Sequence, residues 1–220
     1  MKINRAQSAA RGGIHSARPF SLLIKPAGPD CNLRCRYCFY LPKLQLFGAE
    51  TAHRMSDEVL EQLVKSYFRT TQPTYVFNWQ GGEPTLMGLD FFERVMELQR
   101  RYAPEGSSVT NTIQTNGTLL DGQWADFLAR NRILVGVSLD GPEEIHDAYR
   151  RNKAGEGSFD KVMAGIEHLR SSGAEFNILS MVTVASAARA KEIFDFFMRK
   201  KFNFQQYIPC VEFDADGTAL

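Results

Sequence analysis

Short apolar runs and segments with apolar residues at helical spacing alternate about six times along this chain, with brief connections between them. The strand-like runs fall at residues 20–25, 75–79, 109–115, 133–139, 176–184 and 204–208. Between them, Val59, Leu60, Leu63, Val64 and Phe68 predict a helix opened by Ser56, and further helices are predicted over 89–102, around 124–128, and over 159–170 and 187–200. Pro26, Gly28 and Pro29, then Pro104 and Gly106, Asn116-Gly117 and Asp140-Gly141-Pro142, punctuate the elements where turns are required. The run 133–139 is continuously apolar, as expected of a parallel strand buried on both faces. Repeated βα units predict a parallel sheet that curls toward a barrel. Six units fall short of the eight that close one, so the fold expected is α/β, a partial (β/α)6 TIM-like barrel open on one side. Such an opening suits a large substrate such as a peptide loop. No internal linker or repeated sequence motif interrupts the pattern, so residues 19–212 read as one core. Residues 1–18 read as a basic, disordered leader, and 213–220 as the start of a further region.

Composition narrows the function classes. With 220 residues, 44% apolar and 23% charged, the chain can bury one large core. A net charge of +1 gives no electrostatic case for nucleic acid or an anionic membrane as the main partner. No run of about 18 apolar residues is present, so no membrane span is expected. The leader is Arg-rich and acid-free, as transit peptides are, but it lacks the apolar stretch of a secretory signal. The cysteines are clustered rather than distributed in pairs, which predicts a reducing cytoplasm rather than a secreted, disulfide-stapled domain.

Three of the four cysteines, Cys31, Cys35 and Cys38, fall within eight positions. Three thiolates cannot fill the four ligand sites of a four-iron cluster, so one iron is left open to a ligand that is not protein. Open metal positions belong to catalytic sites and closed ones to structural sites. The competing reading is structural zinc, for which only Cys210 and His53 are conceivable fourth ligands, and neither has partner spacing. Cys210 reads instead as a packed thiol. In βα folds chemistry gathers at the C-terminal ends of the strands, and the unusual residues of this chain fall there. They are the cysteine loop, Gln80-Gly81-Gly82-Glu83, Gln114-Thr115-Asn116, Ser138-Leu139-Asp140 and Cys210-Val211. Two glycines allow a close backbone approach to a ligand, and Glu83 offers an acceptor for an ammonium group. The four histidines, His15, His53, His146 and His168, read as solvated surface.

The spacing Cys31-x3-Cys35-x2-Cys38, with Tyr37 before the last cysteine, resembles that of the radical S-adenosylmethionine (SAM) enzymes. Taken together, Leu23-Ile24-Lys25-Pro26, Cys38-Phe39-Tyr40-Leu41, the stretch from Trp79 through Gly81-Gly82-Glu83 to Leu86, Gln114-Thr115-Asn116-Gly117-Thr118 and Ser138-Leu139-Asp140-Gly141-Pro142 resemble the anaerobic sulfatase-maturating enzymes. That resemblance implies one [4Fe-4S] cluster on the three cysteines with SAM chelating the open iron. Reductive cleavage of SAM would give a 5′-deoxyadenosyl radical, which oxidises a sulfatase cysteine or serine to Cα-formylglycine. It further implies a sulfatase peptide as substrate and a flavodoxin or ferredoxin as electron donor. By resemblance, Gly81, Gly82 and Glu83 meet the SAM amino group, while Ser138 and Arg150 meet its carboxylate. Tyr37 and Asp140 lie nearby, Thr115 and Asn116 line the ribose side, and Val211 approaches the adenine through its backbone. Tyr40 and Gln80 would face the peptide. Thioether-forming and epimerising radical SAM enzymes share the cluster and SAM sites, and a chain without a cluster would only bind peptide. Sulfatase-maturating enzymes carry a further cysteine-rich domain with two auxiliary clusters and an acid/base aspartate, which Asp214 and Asp216 do not match. No catalytic residue is therefore assigned. The expectation is a chain that cleaves SAM but completes formylglycine formation poorly.

Overall fold

The computed structural model describes residues 18–46 and 53–211, so the leader as far as residue 17 and the stretch after 211 lie outside it. Six strands are present: β1 (Leu22–Ile24), β2 (Thr74–Trp79), β3 (Ser108–Thr115), β4 (Leu134–Ser138), β5 (Phe176–Val182) and β6 (Gln205–Pro209). They form one sheet in the order β1-β2-β3-β4-β5-β6, with every neighbouring pair parallel. A strand order that never reverses, joined by right-handed crossovers, places the connecting helices on one face, as in a barrel and unlike a doubly wound sheet. β1 and β6 remain edges, so the sheet is open and the expected partial (β/α)6 barrel is the architecture found.

The helices α1 (Asp57–Phe68), α2 (Leu89–Tyr102), α3 (Gly122–Arg130), α4 (Glu143–Tyr149), α5 (Phe159–Ser172), α6 (Val184–Ala187) and α7 (Ala190–Arg199) fill the connections. Ser56 caps α1 by accepting from Val59 N, and Asp121 caps α3 by accepting from Trp124 N. Tyr75, Phe77 and Trp79 alternate on one face of β2 and are fully buried. They join Leu60 and Val64 of α1, Val95 and Leu98 of α2, and Ile113, Val135, Val137 and Ile178 of the neighbouring strands in one core. The alternate residues Asn78, Thr112 and Gln114 are only half-buried and polar. Thr112 Oγ1 donates to Asn78 Oδ1 (2.9 Å), and Asn78 Nδ2 donates to Leu22 O (2.9 Å). A packed outer face and a polar inner one are what an open barrel needs around a ligand-sized interior.

Two helices depart from the expectation. Residues 140–149, read from sequence as a strand end and loop, contain α4. Pro142 sets its entry, and Glu143 and Glu144 sit in the first turn, where the helix dipole favours acids. The predicted helix over 187–200 is split: a four-residue helix, α6, opened by a reciprocal Thr183–Ser186 capping box, ends at Ala187, and α7 starts at Ala190.

Candidate active site

The cysteine loop follows β1 and is held from three sides. Arg34 N donates to Arg151 O (2.7 Å) and Arg36 N to Tyr149 O (2.8 Å), which fixes the loop to the segment after α4. Gly82 N donates to Gly28 O (2.9 Å) and Glu83 N to Asp30 O (2.7 Å), which fixes it to the end of β2. Asn116, at the end of β3, donates through Nδ2 to Asn32 Oδ1 (2.8 Å) and to Cys31 Sγ (3.6 Å). The close approach explains the glycine pair. A Cβ on Gly82 would sit 2.0 Å from Asp30 O, and Gly81 has φ +122°, where side chains are strained.

Cys31, Cys35 and Cys38 are free thiols in a small apolar cluster with Leu33, Tyr37, Tyr149 and Met181. Burial and the nearby Glu83 carboxylate push the Cys31 thiol up to about 12; burial also raises Cys35, opposed by the Arg150 guanidinium beside it. Thiols in such surroundings ionise only when a metal supplies the compensating charge. Among the described residues, no three His, Cys, Asp or Glu side chains converge as a single metal ion requires. The zinc reading therefore finds no site here, whereas cluster thiolates each bind a separate iron and need no common point. The residues fit a cluster held by Cys31, Cys35 and Cys38. Cys210 follows β6, anchored by Cys210 N to Val182 O (2.8 Å), and packs against this same apolar group. His53, the other sequence candidate for a fourth ligand, is occupied by Asp30 through Nδ1 (2.9 Å).

Glu83 is completely buried. Its Oε1 accepts from Thr85 N (3.0 Å), Thr85 Oγ1 (2.6 Å) and Thr115 Oγ1 (2.7 Å), and its Oε2 accepts from Asn116 N (2.7 Å). Burial pushes this carboxyl up despite the four bonds. Its carboxylate thus ties the end of β2 to the end of β3. Among the described residues the carbonyl oxygens of Gly81 and Gly82 accept no hydrogen bond, so they are the acceptors this loop leaves open. Thr115 and Asn116 are likewise buried and engaged inward.

The ends of β4 and α4 carry a second hub. Asp140 is buried, its Oδ2 accepting from the Tyr37 hydroxyl and from Arg150 Nε (2.9 Å), its Oδ1 from Met181 N (3.0 Å). The Arg150 guanidinium lies 5.3 Å from the Tyr37 ring centroid. Burial holds the Tyr37 hydroxyl well above its ordinary range, so it stays a proton donor to Asp140. Ser138, the last residue of β4 and two positions before Asp140, is buried, and its hydroxyl makes no hydrogen bond among the described residues. Tyr40 and Gln80 are half-buried on neighbouring loops, with Lys25 Nζ 5.2 Å from the Tyr40 ring; Val211 is exposed past β6.

One residue of this hub was misread from sequence. His146 is not solvated surface: it sits on α4 with no exposed area. Its Nδ1 accepts from Asp140 N (3.3 Å), its Nε2 pairs with Ser158 Oγ (3.0 Å), and Ser158 Oγ donates to Arg150 O (2.8 Å). This chain of bonds clamps the backbones of both Asp140 and Arg150. His53 is also misread, being paired with Asp30, while His168 is exposed as expected and His15 lies outside the described residues.

Burial and the Arg150 charge push His146 down to about 4. An unfolded histidine takes up its proton near 6.5, so between about 6.5 and about 4 the unfolded chain binds a proton that the folded chain does not. Stability is therefore whole above that window and falls as pH falls through it, by about 2 kcal/mol between pH 7.5 and pH 5. Urea midpoints of the metal-free chain at the two pH values should show this loss, and His146→Gln, which has no proton to gain, should show about that much less of it.

A sheet whose strand ends converge on three cysteines, with free carbonyls, a free serine hydroxyl and a buried arginine around them, defines a class. The sequence profile of the radical SAM superfamily matches residues 26–197, and the chain belongs to that superfamily, whose members use a [4Fe-4S] cluster and S-adenosylmethionine. Within it, the chain is 44% identical over 197 residues to the serine-type anaerobic sulfatase-maturating enzyme of Bacteroides thetaiotaomicron, covering 89% of this chain and 47% of that protein. It is also 44% identical over 194 residues to the cysteine-type enzyme of Clostridium perfringens, covering 88% of this chain and 52% of that one. The solved structure of native anSMEcpe with bound AdoMet superposes with a TM-score of 0.82 at 44% identity, over 88% of this chain and 52% of that one. The chain spans about half the length of the curated relatives it matches. Streptococcus suis SuiB bound to S-adenosylmethionine, at 19% identity and a TM-score of 0.62, shares the fold.

Proposed function

We propose that this chain is the radical-generating core of an anaerobic sulfatase-maturating enzyme, oxidising a sulfatase cysteine or serine to Cα-formylglycine. The observation that supports this most strongly is the 44% identity to both serine- and cysteine-type enzymes over nearly the whole chain, carried on the same fold as an AdoMet-bound structure. Once bound, the cluster and SAM supply electron transfer and hydrogen-atom abstraction. The residues of this chain do the positioning. Cys31, Cys35 and Cys38 hold the cluster. The open carbonyls of Gly81 and Gly82 accept from the SAM amino group, and Glu83 holds that loop rigid from behind. Ser138 and Arg150 donate to the SAM carboxylate, with Arg150 aimed by Asp140 and Tyr37. Asn116 and Thr115 shape the ribose side through their inward bonds, and the Val211 backbone meets the adenine. Tyr40 and Gln80, whose polar ends make no hydrogen bond among the described residues, face the substrate peptide. An electron donor of the flavodoxin or ferredoxin type feeds the cluster, and a reducing cytoplasm keeps the four thiols free. Among the described residues no helix is long and apolar enough to cross a membrane.

Anaerobic incubation of the reconstituted chain with SAM, dithionite and a sulfatase-derived peptide tests this reading. The expected result is 5′-deoxyadenosine formed together with a peptide that has lost hydrogen at the cysteine or serine. A thioether or an inverted centre in the peptide would refute the sulfatase assignment while leaving the superfamily intact.

A further inference from the structure

Past the end of α4 the carbonyls of Tyr149, Arg150 and Arg151 follow one another, and their partners alternate. Tyr149 O accepts from Arg36 N (2.8 Å) and Arg151 O from Arg34 N (2.7 Å), so the outer two hold the cysteine loop. The middle one, Arg150 O, accepts instead from Ser158 Oγ (2.8 Å). Ser158 is itself held in place. Asp147 Oδ1 accepts from Ser158 N (2.8 Å) and Phe159 N (3.0 Å), and a Cβ on Gly157 would fall 2.0 Å from Asp147 Oδ2. A hydroxyl has one proton to donate. Ser158 gives it to Arg150 O, so toward His146 it can only accept, and His146 Nε2, 3.0 Å away, must carry the ring proton. His146 Nδ1 is then the acceptor that the Asp140 N–H needs (3.3 Å), and one neutral tautomer satisfies every bond. The His146 carbonyl also accepts from Arg150 N (2.9 Å). His146 and Ser158 together thus hold the backbone N–H of Asp140 and both backbone polar groups of Arg150.

Asp140 and Arg150 are the buried ion pair of the rim, with Arg150 Nε donating to Asp140 Oδ2 (2.9 Å). With Nε committed there, a carboxylate is met by the two terminal nitrogens, whose place follows from the Arg150 backbone. We propose that His146 and Ser158 are positioning residues for SAM, fixing the Arg150 guanidinium relative to the cysteine loop, a role that rests on the reading of Arg150 as a donor to the SAM carboxylate. Both side chains are buried with every polar atom engaged, so neither is available to SAM, and each acts through Arg150. Space-filling alone would be served by apolar residues, since buried polar side chains are costly unless each bond is made. Apart from the bond between them, the side-chain bonds of this pair end on Asp140 and Arg150. The same segment carries the cysteine loop on Tyr149 O and Arg151 O, so one brace sets both the guanidinium and the loop that holds the cluster.

His146→Leu and Ser158→Ala remove the brace, and His146→Gln is the conservative variant, because its amide offers both an acceptor for Asp140 N and a donor for Ser158 Oγ. Affinity for SAM is measured by calorimetry on the cluster-loaded chain without reductant, so that no turnover occurs. His146→Leu and Ser158→Ala should each weaken SAM binding about tenfold, and His146→Gln by less than about threefold. Iron content should stay at about four per chain in all three. With dithionite and saturating SAM the rate of 5′-deoxyadenosine formation should remain within about twofold of wild type, so that the loss falls on KM rather than kcat. A cycle with Arg150→Gln separates positioning from general damage. In that background Ser158→Ala should weaken SAM binding no further, since the group it places is gone. Wild-type SAM affinity in both His146→Leu and Ser158→Ala would overturn the inference. So would losses in Ser158→Ala and Arg150→Gln that multiply in the double variant, which would make the hydroxyl a general support of the fold. If Arg150→Gln lost affinity and Ser158→Ala did not, only the inference would fall; if Arg150→Gln bound SAM as tightly as wild type, the reading of Arg150 would fall with it.

Discussion

Glu83→Ala is expected to cost the chain at least about 4 kcal/mol of stability, since it strips the acceptor from four buried donors at about 1–3 kcal/mol each. Thr85 N, Thr85 Oγ1, Thr115 Oγ1 and Asn116 N all end on this one carboxylate, and the site has no exposed area through which water could replace it. Set against a total stability of about 5–15 kcal/mol for a typical domain, that loss leaves a large unfolded fraction. Glu83→Gln is the informative companion. Its amide oxygen can keep the three bonds made at Oε1, but its NH2 group would then face Asn116 N–H, so a loss of about 1–3 kcal/mol is expected. Urea midpoints of the metal-free chain measure both. If Glu83→Ala unfolded at the wild-type midpoint, the carboxylate would not be the tie between β2 and β3 that its bonds describe.

Cys35→Ala is expected to abolish cluster assembly altogether. Cys35 is the buried member of the three, beside the Arg150 guanidinium, and removing it leaves two thiolates where three irons need ligands. Iron content after anaerobic reconstitution should drop from about four per chain to background, and the charge-transfer absorbance near about 400 nm should vanish with it. Cys210→Ala is the control, because Cys210 packs against the same apolar group yet stands outside the motif. It should retain the cluster in full. Loss of iron in Cys210→Ala as complete as in Cys35→Ala would make Cys210 a fourth ligand and close the iron that SAM is to occupy.

The strands were legible because apolar runs such as 133–139, or apolar residues at alternate positions such as Tyr75, Phe77 and Trp79, fall between turn signals, a pattern that depends on neighbours in sequence alone. β1 proved shorter than its run: it is an edge strand, and Leu23 in its middle is 60% exposed. α4 was missed because seven residues are too few to display a helical period, although Pro142 followed by two glutamates carried its N-terminal signal. The cysteine loop and the rim around it were legible from spacing and from the rule that places chemistry at strand ends. The direction of each side chain was not. Glu83 turns inward because Thr115 and Asn116, on the next strand, offer it donors, and no spacing within 80–84 announces that. His146 is buried because Ser158 and the Asp140 backbone take both ring nitrogens, which a lone histidine in a polar stretch does not reveal.

The central claim is that this chain's three cysteines and the rim around them form a site that cleaves SAM. The most direct test is 5′-deoxyadenosine formation by the anaerobically reconstituted wild-type chain with SAM and dithionite, followed by mass spectrometry. The account predicts 5′-deoxyadenosine and methionine in equal amounts, formed only by chains that carry the cluster and absent in Cys35→Ala. A wild-type chain loaded with about four irons that forms neither product would contradict it.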